Sequence, residues 1–154
     1  MVVSFLGNGS FKLQSGEVSL LLDPESGRFK ADVVLRTLTP VGTLPSSGIS
    51  PRNEIFFPGE YEVGGIEIFG IPVPGESGEK FVKTVYSVSW EGIKFGFLGH
   101  LSGPPSAEII DGLDEPDILF LPVGGGHFLG PEAAAKLAKQ LEPTYVVPTF
   151  YKSP

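Results

Sequence analysis

The alternation of apolar and polar residues predicts a chain built mostly of short strands. Apolar positions alternate with polar ones or form brief continuous runs, and 21 glycines and 15 prolines separate these stretches. Both residue types end regular structure and favour turns. The predicted strands are the segments 2–6, 11–14, 18–23, 33–36, 54–57, 61–63, 66–71, 82–90 and 93–99.

Turn residues predict how several of these strands connect. The first three strands form a meander, with Gly7, Gly9 and Gly16 in its turns. Gly64-Gly65 and Glu91-Gly92 each predict a tight hairpin, because glycine adopts the positive φ that such turns need.

The last third of the chain has a helical period. The segment 131–142 begins with Pro131, a residue suited to the first helical position, and places apolar residues on one face. A shorter helix is predicted over 104–111. Buried strands follow the helices at 117–123 and 145–148. Two helix-to-strand units after a strand-rich region predict an α/β (α+β) protein, a compact αβ/βα sandwich in which helices cover sheets.

Length and composition limit the organisation and the partners. The 154 residues, 41% of them hydrophobic and twelve of them Phe, are enough for one core, so we expect a single domain over 1–154, with exposed loops at 42–51 and 72–80. The net charge of -7 opposes binding to nucleic acid or to an anionic membrane. The chain has no cysteine, no signal-like start and no apolar run of ~18 residues, which predicts a cytoplasmic protein.

Several strings resemble one protein family over nearly the whole chain. They include GNGSF at 7–11, LLLDP at 20–24, FFPGEYEVGG at 56–65, FGFLGHLSG at 95–103 and PDILFLPVGGG at 116–126. Their order is similar to that of the short bacterial and archaeal branch of metallo-β-lactamase-fold proteins, the Zn-dependent-hydrolase-like and ascorbate-phosphate-lactonase-like proteins. The resemblance implies the sandwich fold, whereas function has to be argued from the site.

The resemblance also implies where zinc ligands would stand. An HxHxDH motif, an H-L-G-D segment and a late His before Tyr would fall on seven positions of this chain: Leu38, Pro40, Gly42, Thr43, Phe97, His100 and Phe150. All seven are changed, and only His100, in place of a bridging Asp, can bind a metal. Asn8 also replaces a usual His. We therefore predict that the ligands are lost and that Leu38, Phe97 and Phe150 converge to fill the former site.

The remaining candidate residues have ordinary structural interpretations. The chain has two histidines, and a catalytic zinc takes about three protein ligands, so His100 is predicted to bond a carbonyl and His127 to be a loop residue. Asp23 is predicted to cap the turn before Pro24, and Asp32 to open the strand at 33. The GGG at 124–126 lacks the Lys and Ser/Thr of a phosphate loop and predicts a turn.

Two function classes follow. The first is a non-catalytic binding or assembly module without a cofactor, acting as a homodimer or on a protein partner through a sheet face left bare at 82–90 or at the strands from 54 to 71. The alternative is a zinc-dependent hydrolase with a rearranged site around His100, His127 and Asp23. Ser10, Ser102 and Ser106 lack the context of a serine nucleophile.

Overall fold

The computed structural model describes residues 1–43 and 53–151. Within these ranges the chain forms twelve β-strands, two α-helices and one short 3-10 turn at Val41–Thr43. The strands are β1 Val2–Gly7, β2 Ser10–Ser15, β3 Val18–Leu22, β4 Val33–Leu35, β5 Leu38–Pro40, β6 Glu54–Ile55, β7 Gly59–Val63, β8 Ile66–Pro72, β9 Phe81–Trp90, β10 Ile93–Phe97, β11 Ile118–Pro122 and β12 Tyr145–Thr149. The helices are α1 Ala107–Leu113 and α2 Pro131–Leu141.

The strands form two mixed sheets. The first has the order β1-β2-β3-β4-β6, in which β1 to β3 are an antiparallel meander, as predicted, and β4 lies parallel to both its neighbours. The second has the order β12-β11-β10-β9-β8-β7, and β5 pairs with β9. Strands β10, β11 and β12 are parallel, because a helix connects each consecutive pair.

Both predicted hairpins are confirmed. Glu91 and Gly92 have φ values of 53° and 77°, and the flanking residues Trp90 and Ile93 are partners across the turn. Gly64 and Gly65 have φ values of 57° and 84°. In each turn two successive residues take positive φ, which matches the right-handed twist of the strands.

Two apolar cores hold the layers together. The inter-sheet core lies between the sheets and contains Leu13, Leu20, Val88, Phe95 and Phe97, all fully buried. A second core joins the helices to the second sheet, where α1 packs on β8 and β9, and α2 packs on β11. The fold class is therefore confirmed as a strand-rich α/β sandwich, with both helices on one sheet.

Several predicted boundaries change. Helix α1 begins at Ala107 instead of Pro104, because the Ser106 hydroxyl accepts a hydrogen bond from the Ile109 backbone N–H at 3.3 Å and caps the helix there. Strand β5 was not predicted; it forms by antiparallel pairing with the start of β9. The predicted loop at 42–51 lies mostly outside the described residues, while 73–80 is a loop between β8 and β9, as expected.

The prediction of a bare sheet face at 82–90 is wrong. Strand β9 is buried from Thr84 to Val88, because it is central in its sheet with apolar layers on both sides. Large exposed apolar side chains lie on the edge strands β1 and β12 and just after β12, on β8 within the predicted 54–71 region, and at the first residue of β9; among them are Val2, Phe5, Phe69, Phe81, Tyr145 and Tyr151. None of the helices in the described ranges is long and apolar enough to cross a bilayer.

Candidate functional site

Three chain segments from both sheets meet at one end of the sandwich. Asp23 directly follows β3, Thr37 lies between β4 and β5, and His100 follows β10 by three residues. The backbone N–H of Asp23 donates to the Leu35 carbonyl at 2.9 Å, which extends the β3–β4 pairing to the site. Parallel strands end at the same edge of a sheet, so Asp23 and Thr37 are neighbours although they are 14 residues apart.

A continuous chain of hydrogen bonds joins the three side chains. The Thr37 backbone N–H donates to Asp23 Oδ1 at 2.8 Å, and the Thr37 hydroxyl bonds to Asp23 Oδ2. The same hydroxyl lies 2.8 Å from His100 Nδ1. Thr37 is only 1% exposed, so water does not compete for its hydroxyl. We call this chain the Asp23–Thr37–His100 relay.

Gly99 makes the close approach to Thr37 possible. Its φ is +56°, and a Cβ at this position would lie 2.3 Å from Thr37 Cβ. No side chain fits at that distance, and a positive φ also favours glycine. The glycine therefore lets the loop after β10 bring His100 onto Thr37.

The protein interior shifts both titrating groups toward their neutral forms. Burial raises the pKa of Asp23 to about 6, although hydrogen bonds from Thr37 and the charge of Arg36 act against the rise. Burial, together with the nearby Lys83 ammonium, lowers the pKa of His100 to about 4. At neutral pH Asp23 is mostly ionised and the His100 imidazole is neutral.

An ion pair behind the site fixes the backbone of the His100 loop. Lys83 Nζ donates to the His100 carbonyl oxygen and to Glu76 Oε1, both at 2.9 Å. Glu76 also accepts from the backbone N–H and hydroxyl of Ser102, at 2.8 and 2.6 Å. Burial alone would raise the pKa of Glu76, but these hydrogen bonds hold it below its ordinary value. Ser102 is thus engaged in a structural contact, in line with the absence of a serine-nucleophile motif.

Aromatic rings form one wall of the site. The Phe150 ring is stacked on Phe128, with centroids 4.2 Å apart, and lies 4.9 Å from the His100 ring. Phe150 has a φ of 49°, and added Cβ atoms at Gly9 and Gly124 would lie 2.1 Å from its ring and 2.0 Å from its carbonyl oxygen. The sequence placed both glycines in turns but did not connect them, or Phe128, with the site, because that role depends on contacts between distant segments.

The site opens into a cleft of about 180 Å³, lined by Gly9, Asp23, Glu25, Arg36, Leu38, His100 and Phe150. Asn8 closes part of the rim by donating to Glu25 Oε1 at 2.8 Å. The Arg36 guanidinium donates to Glu54 Oε1 at 2.8 and 2.9 Å and to the Pro24 carbonyl at 2.7 Å. The positive charge of Arg36 is therefore paired with the carboxylate of Glu54. The carboxylates of Asp23 and Glu25 also line the cleft.

The structure corrects the expectation that the former site is filled by three converging apolar side chains. Leu38 and Phe150 do line the cleft with His100, but Phe97 lies in the inter-sheet core. Pro40 and Gly42 are exposed and do not line it, and the side chain of Thr43 is outside the described residues. The site is a cleft that Asp23, Glu25 and Arg36 also line, and it is not filled by apolar side chains.

The other predicted residues divide into confirmed and corrected assignments. His100 bonds the Thr37 hydroxyl and not a carbonyl, because Gly99 brings the ring onto that side chain. His127 is an exposed loop residue, as predicted. Asp32 accepts from the Ser19 backbone N–H at 2.8 Å beside the start of β4. Gly125 and Gly126 have φ values of 72° and 66°, which confirms a glycine turn at 124–126.

The described part of the chain supplies fewer metal-binding side chains than a metal centre needs. Among residues 1–43 and 53–151, no three His, Asp or Glu side chains lie close enough together to hold a metal ion. Asp23 and His100 come near each other through Thr37, and His127 does not join them. Two such side chains are fewer than the about three protein ligands of a catalytic zinc. The described residues do not fit the full metal centre that the resemblance implies, so no mechanistic step is assigned to a metal.

Several known proteins are similar to this chain over almost its whole length. A metal-dependent hydrolase of Methanopyrus kandleri is 26% identical over 193 residues, covering 98% of this chain and 84% of the relative. One of Pelotomaculum thermopropionicum is 24% identical over 195 residues, covering 99% and 85%. A solved structure from Thermotoga maritima, assigned as a Zn-dependent hydrolase of the metallo-β-lactamase superfamily, superposes with a TM-score of 0.80 at 25% identity, covering 98% of this chain and 76% of that one.

These names contradict two of our predictions. The relatives are called metal-dependent hydrolases, so the prediction of a non-catalytic protein that has lost its metal ligands is wrong. The prediction of no cofactor is wrong for the same reason, since the names point to a metal such as zinc. The prediction was drawn from seven changed positions alone, and changed residues at those positions do not by themselves show that a function is lost.

The family assignment rests on the length of the match as well as on the fold. The description of the matching family is "Beta-lactamase superfamily domain", and it matches residues 2–150. The two mixed sheets and the helix-covered second sheet are the architecture that this match implies. The chain belongs to the metallo-β-lactamase superfamily.

Proposed function

We propose that this protein is a hydrolase with the metal dependence that its relatives' names carry, and that its reaction takes place in the cleft at His100. The observation that carries the proposal is the Asp23–Thr37–His100 relay, which ends on an imidazole at the cleft wall. Buried polar groups with shifted pKa values inside a cleft are typical of active sites. His127 is not part of the proposed site, because it is exposed and apart from the other two residues.

The electrostatics of the cleft support specific roles for its residues. With a pKa of about 4, the His100 ring is neutral at pH 7 and offers a lone pair to a water or a substrate, but it is a weak store for a proton. Asp23, with a pKa of about 6, holds a proton more readily. We assign orientation of the attacking water to His100, and the support of that ring to Asp23 and Thr37.

The charge of the cleft favours an uncharged substrate. Asp23 and Glu25 face the cleft, the Arg36 guanidinium is paired with Glu54, and the whole chain has a net charge of -7. An anionic phosphodiester would be repelled by this field. Leu38 and Phe150 add an apolar wall, and the volume of about 180 Å³ suits a small acyl group. We propose a small, uncharged carboxylic ester or amide as the substrate class.

The test combines metal content with hydrolysis. Protein purified without chelator is analysed for bound metal and assayed with p-nitrophenyl acetate and with bis-(p-nitrophenyl) phosphate, before and after chelation and after addition of zinc or manganese. We expect the ester to be the better substrate, chelation to remove the activity, and His100→Gln to lower kcat by about 100-fold or more. His127→Asn is the matched control and retains the activity.

Two outcomes would overturn the proposal. One is the absence of hydrolysis of both substrates by metal-supplemented protein. The other is a His100→Gln variant as active as the unchanged protein, which would put the reaction elsewhere.

We also propose that two copies associate about a two-fold axis. Strands β1 and β12 each lie at one edge of their sheet, and they carry exposed apolar residues such as Val2, Phe5 and Tyr145. Phe5 and Tyr151 stack at 6.2 Å across the gap between these edges. Exposed apolar patches commonly mark interfaces, and two-fold pairs are the commonest closed assembly. Light scattering during size exclusion at about 100 μM tests this, and a monomeric mass there would contradict a dimer of that affinity.

A further inference from the structure

The relay determines which nitrogen of the His100 ring carries the hydrogen and which one is left as an acceptor. A neutral imidazole carries one hydrogen, on either Nδ1 or Nε2, and the bare nitrogen is the one that can accept a hydrogen bond. Nδ1 of His100 is 2.8 Å from the Thr37 hydroxyl, so the partner of Nδ1 decides where the hydrogen lies.

When Asp23 is ionised, the available hydrogens allow only one pattern of hydrogen bonds among Asp23, Thr37 and His100. A carboxylate only accepts, and the Thr37 hydroxyl has one hydrogen, which it must donate to Asp23 Oδ2. The hydroxyl oxygen can then only accept from His100. Nδ1 therefore carries the hydrogen, and Nε2 is bare.

The surroundings hold this arrangement in place. Asp23 Oδ1 is occupied by the Thr37 backbone N–H, so the carboxylate cannot turn away from the hydroxyl. Thr37 is buried, and Gly99 leaves it no room to move toward the loop. Lys83 Nζ holds the His100 carbonyl from the other side.

We infer that Thr37 is a positioning residue: by donating its one hydroxyl hydrogen to the Asp23 carboxylate and accepting from His100, it keeps Nδ1 of the ring protonated and Nε2 bare. Thr37 itself contacts no substrate in this arrangement. The bare nitrogen is the one that the proposed hydrolase needs to orient a water, so the consequence for catalysis rests on the proposed function. The tautomer itself does not, and it can be measured in the absence of any substrate.

The experiment reads the ring nitrogens directly. Protein labelled with ¹⁵N is studied at pH 8 by long-range ¹H–¹⁵N correlation, in which protonated and bare ring nitrogens resonate far apart. The chain has two histidines, and His127→Asn identifies the signals of His100 by difference. We expect Nδ1 protonated and Nε2 bare in the unchanged protein.

Three variants separate the relay from simple packing. In Asp23→Asn the side-chain amide donates to the Thr37 hydroxyl, which must then donate to Nδ1, so the hydrogen moves to Nε2. Thr37→Val removes the hydroxyl, so Nδ1 of His100 is no longer held protonated. Thr37→Ser keeps the hydroxyl and is expected to keep Nδ1 protonated. A backbone ¹H–¹⁵N spectrum verifies that each variant is folded, and if Thr37→Val is not, Asp23→Asn alone decides.

Activity measurements keep the two proposals distinguishable. If the tautomers change as expected and the ester is not hydrolysed, the relay stands and the proposed function fails. If the hydrolase is active and kcat falls in Asp23→Asn but recovers in Thr37→Ser relative to Thr37→Val, both stand. A protonated Nε2 in the unchanged protein, or an unaltered tautomer in Asp23→Asn, would overturn the inference.

Discussion

Phe97 and Phe150 both stand where the family resemblance implies zinc-binding histidines, yet they belong to two different kinds of region. Phe97 is 0% exposed in the inter-sheet core, where its ring lies 6.1 Å from Phe95 and 4.7 Å from Phe120. Phe150 is half-buried at the cleft, with a φ of 49°. The core position is defined by its neighbours' side chains, whereas the cleft position is defined by its backbone.

The difference shows why replaced ligands do not by themselves mean a filled site. An apolar ring in the core adds to the packing of the sheets, but a ring held by a turn can remain a wall and leave the space beside it open. The charged cleft at Asp23 and His100 persists next to Phe150. Stability measurements can separate the two regions.

The largest effect is expected in the core. Phe97→Ala removes a fully buried ring and leaves a cavity, so the free energy of unfolding should fall by about 3 to 5 kcal/mol in urea denaturation. Phe69→Ala is the matched control, because Phe69 is 39% exposed, and it should cost less than about 1 kcal/mol. A loss below about 1 kcal/mol for Phe97→Ala would place this ring outside the core.

A smaller, pH-dependent effect is expected at the cleft. Burial raises the pKa of Asp23 from its ordinary 3.8 to about 6 in the folded protein, so the folded state holds this proton more tightly than the unfolded state does. The stability contributed by protonated Asp23 is present below about pH 4 and is lost as the pH rises through about 6. Because Asp23 also lines the cleft, we expect a loss on the order of 1 to 3 kcal/mol.

Asp23→Asn isolates that contribution from the other titrating groups. As the pH rises from 4 to 6, the interval set by the Asp23 pKa, the free energy of unfolding of the unchanged protein should fall relative to that of the variant. A difference that stays constant across this interval would mean that burial does not raise the pKa of Asp23.

The smallest expected effect is a difference in stability between glycine and alanine variants, and its sign should differ between positions 150 and 97. At 150 the positive φ favours glycine, so Phe150→Gly should be more stable than Phe150→Ala by about 1 kcal/mol, although it removes one more carbon. At 97, within β10, the order should reverse, because glycine weakens a strand. Thermal and urea unfolding of the four variants measure both differences, and the same order at both positions would refute the contrast.

Much of the fold was predictable from local patterns. The strand periodicity, the Gly64-Gly65 and Glu91-Gly92 hairpins and helix α2 follow from short-range chemistry, and the structure confirms them. Boundaries such as the start of α1 needed the Ser106 cap, and β5 needed its partner β9, because a three-residue strand has little period of its own.

The sequence by itself was enough to indicate the family. Its composition shows no cysteine, only two histidines and an acidic net charge. It named Asp23 and His100 but not Thr37, which reads as an ordinary residue after a buried strand. Only the tertiary structure brought His100 to Thr37 across 63 positions, because that contact depends on the pairing of strands and on the space that Gly99 leaves open. Hydrogen bonds between distant segments have no local period, so the site was decided by the packing of the sheets.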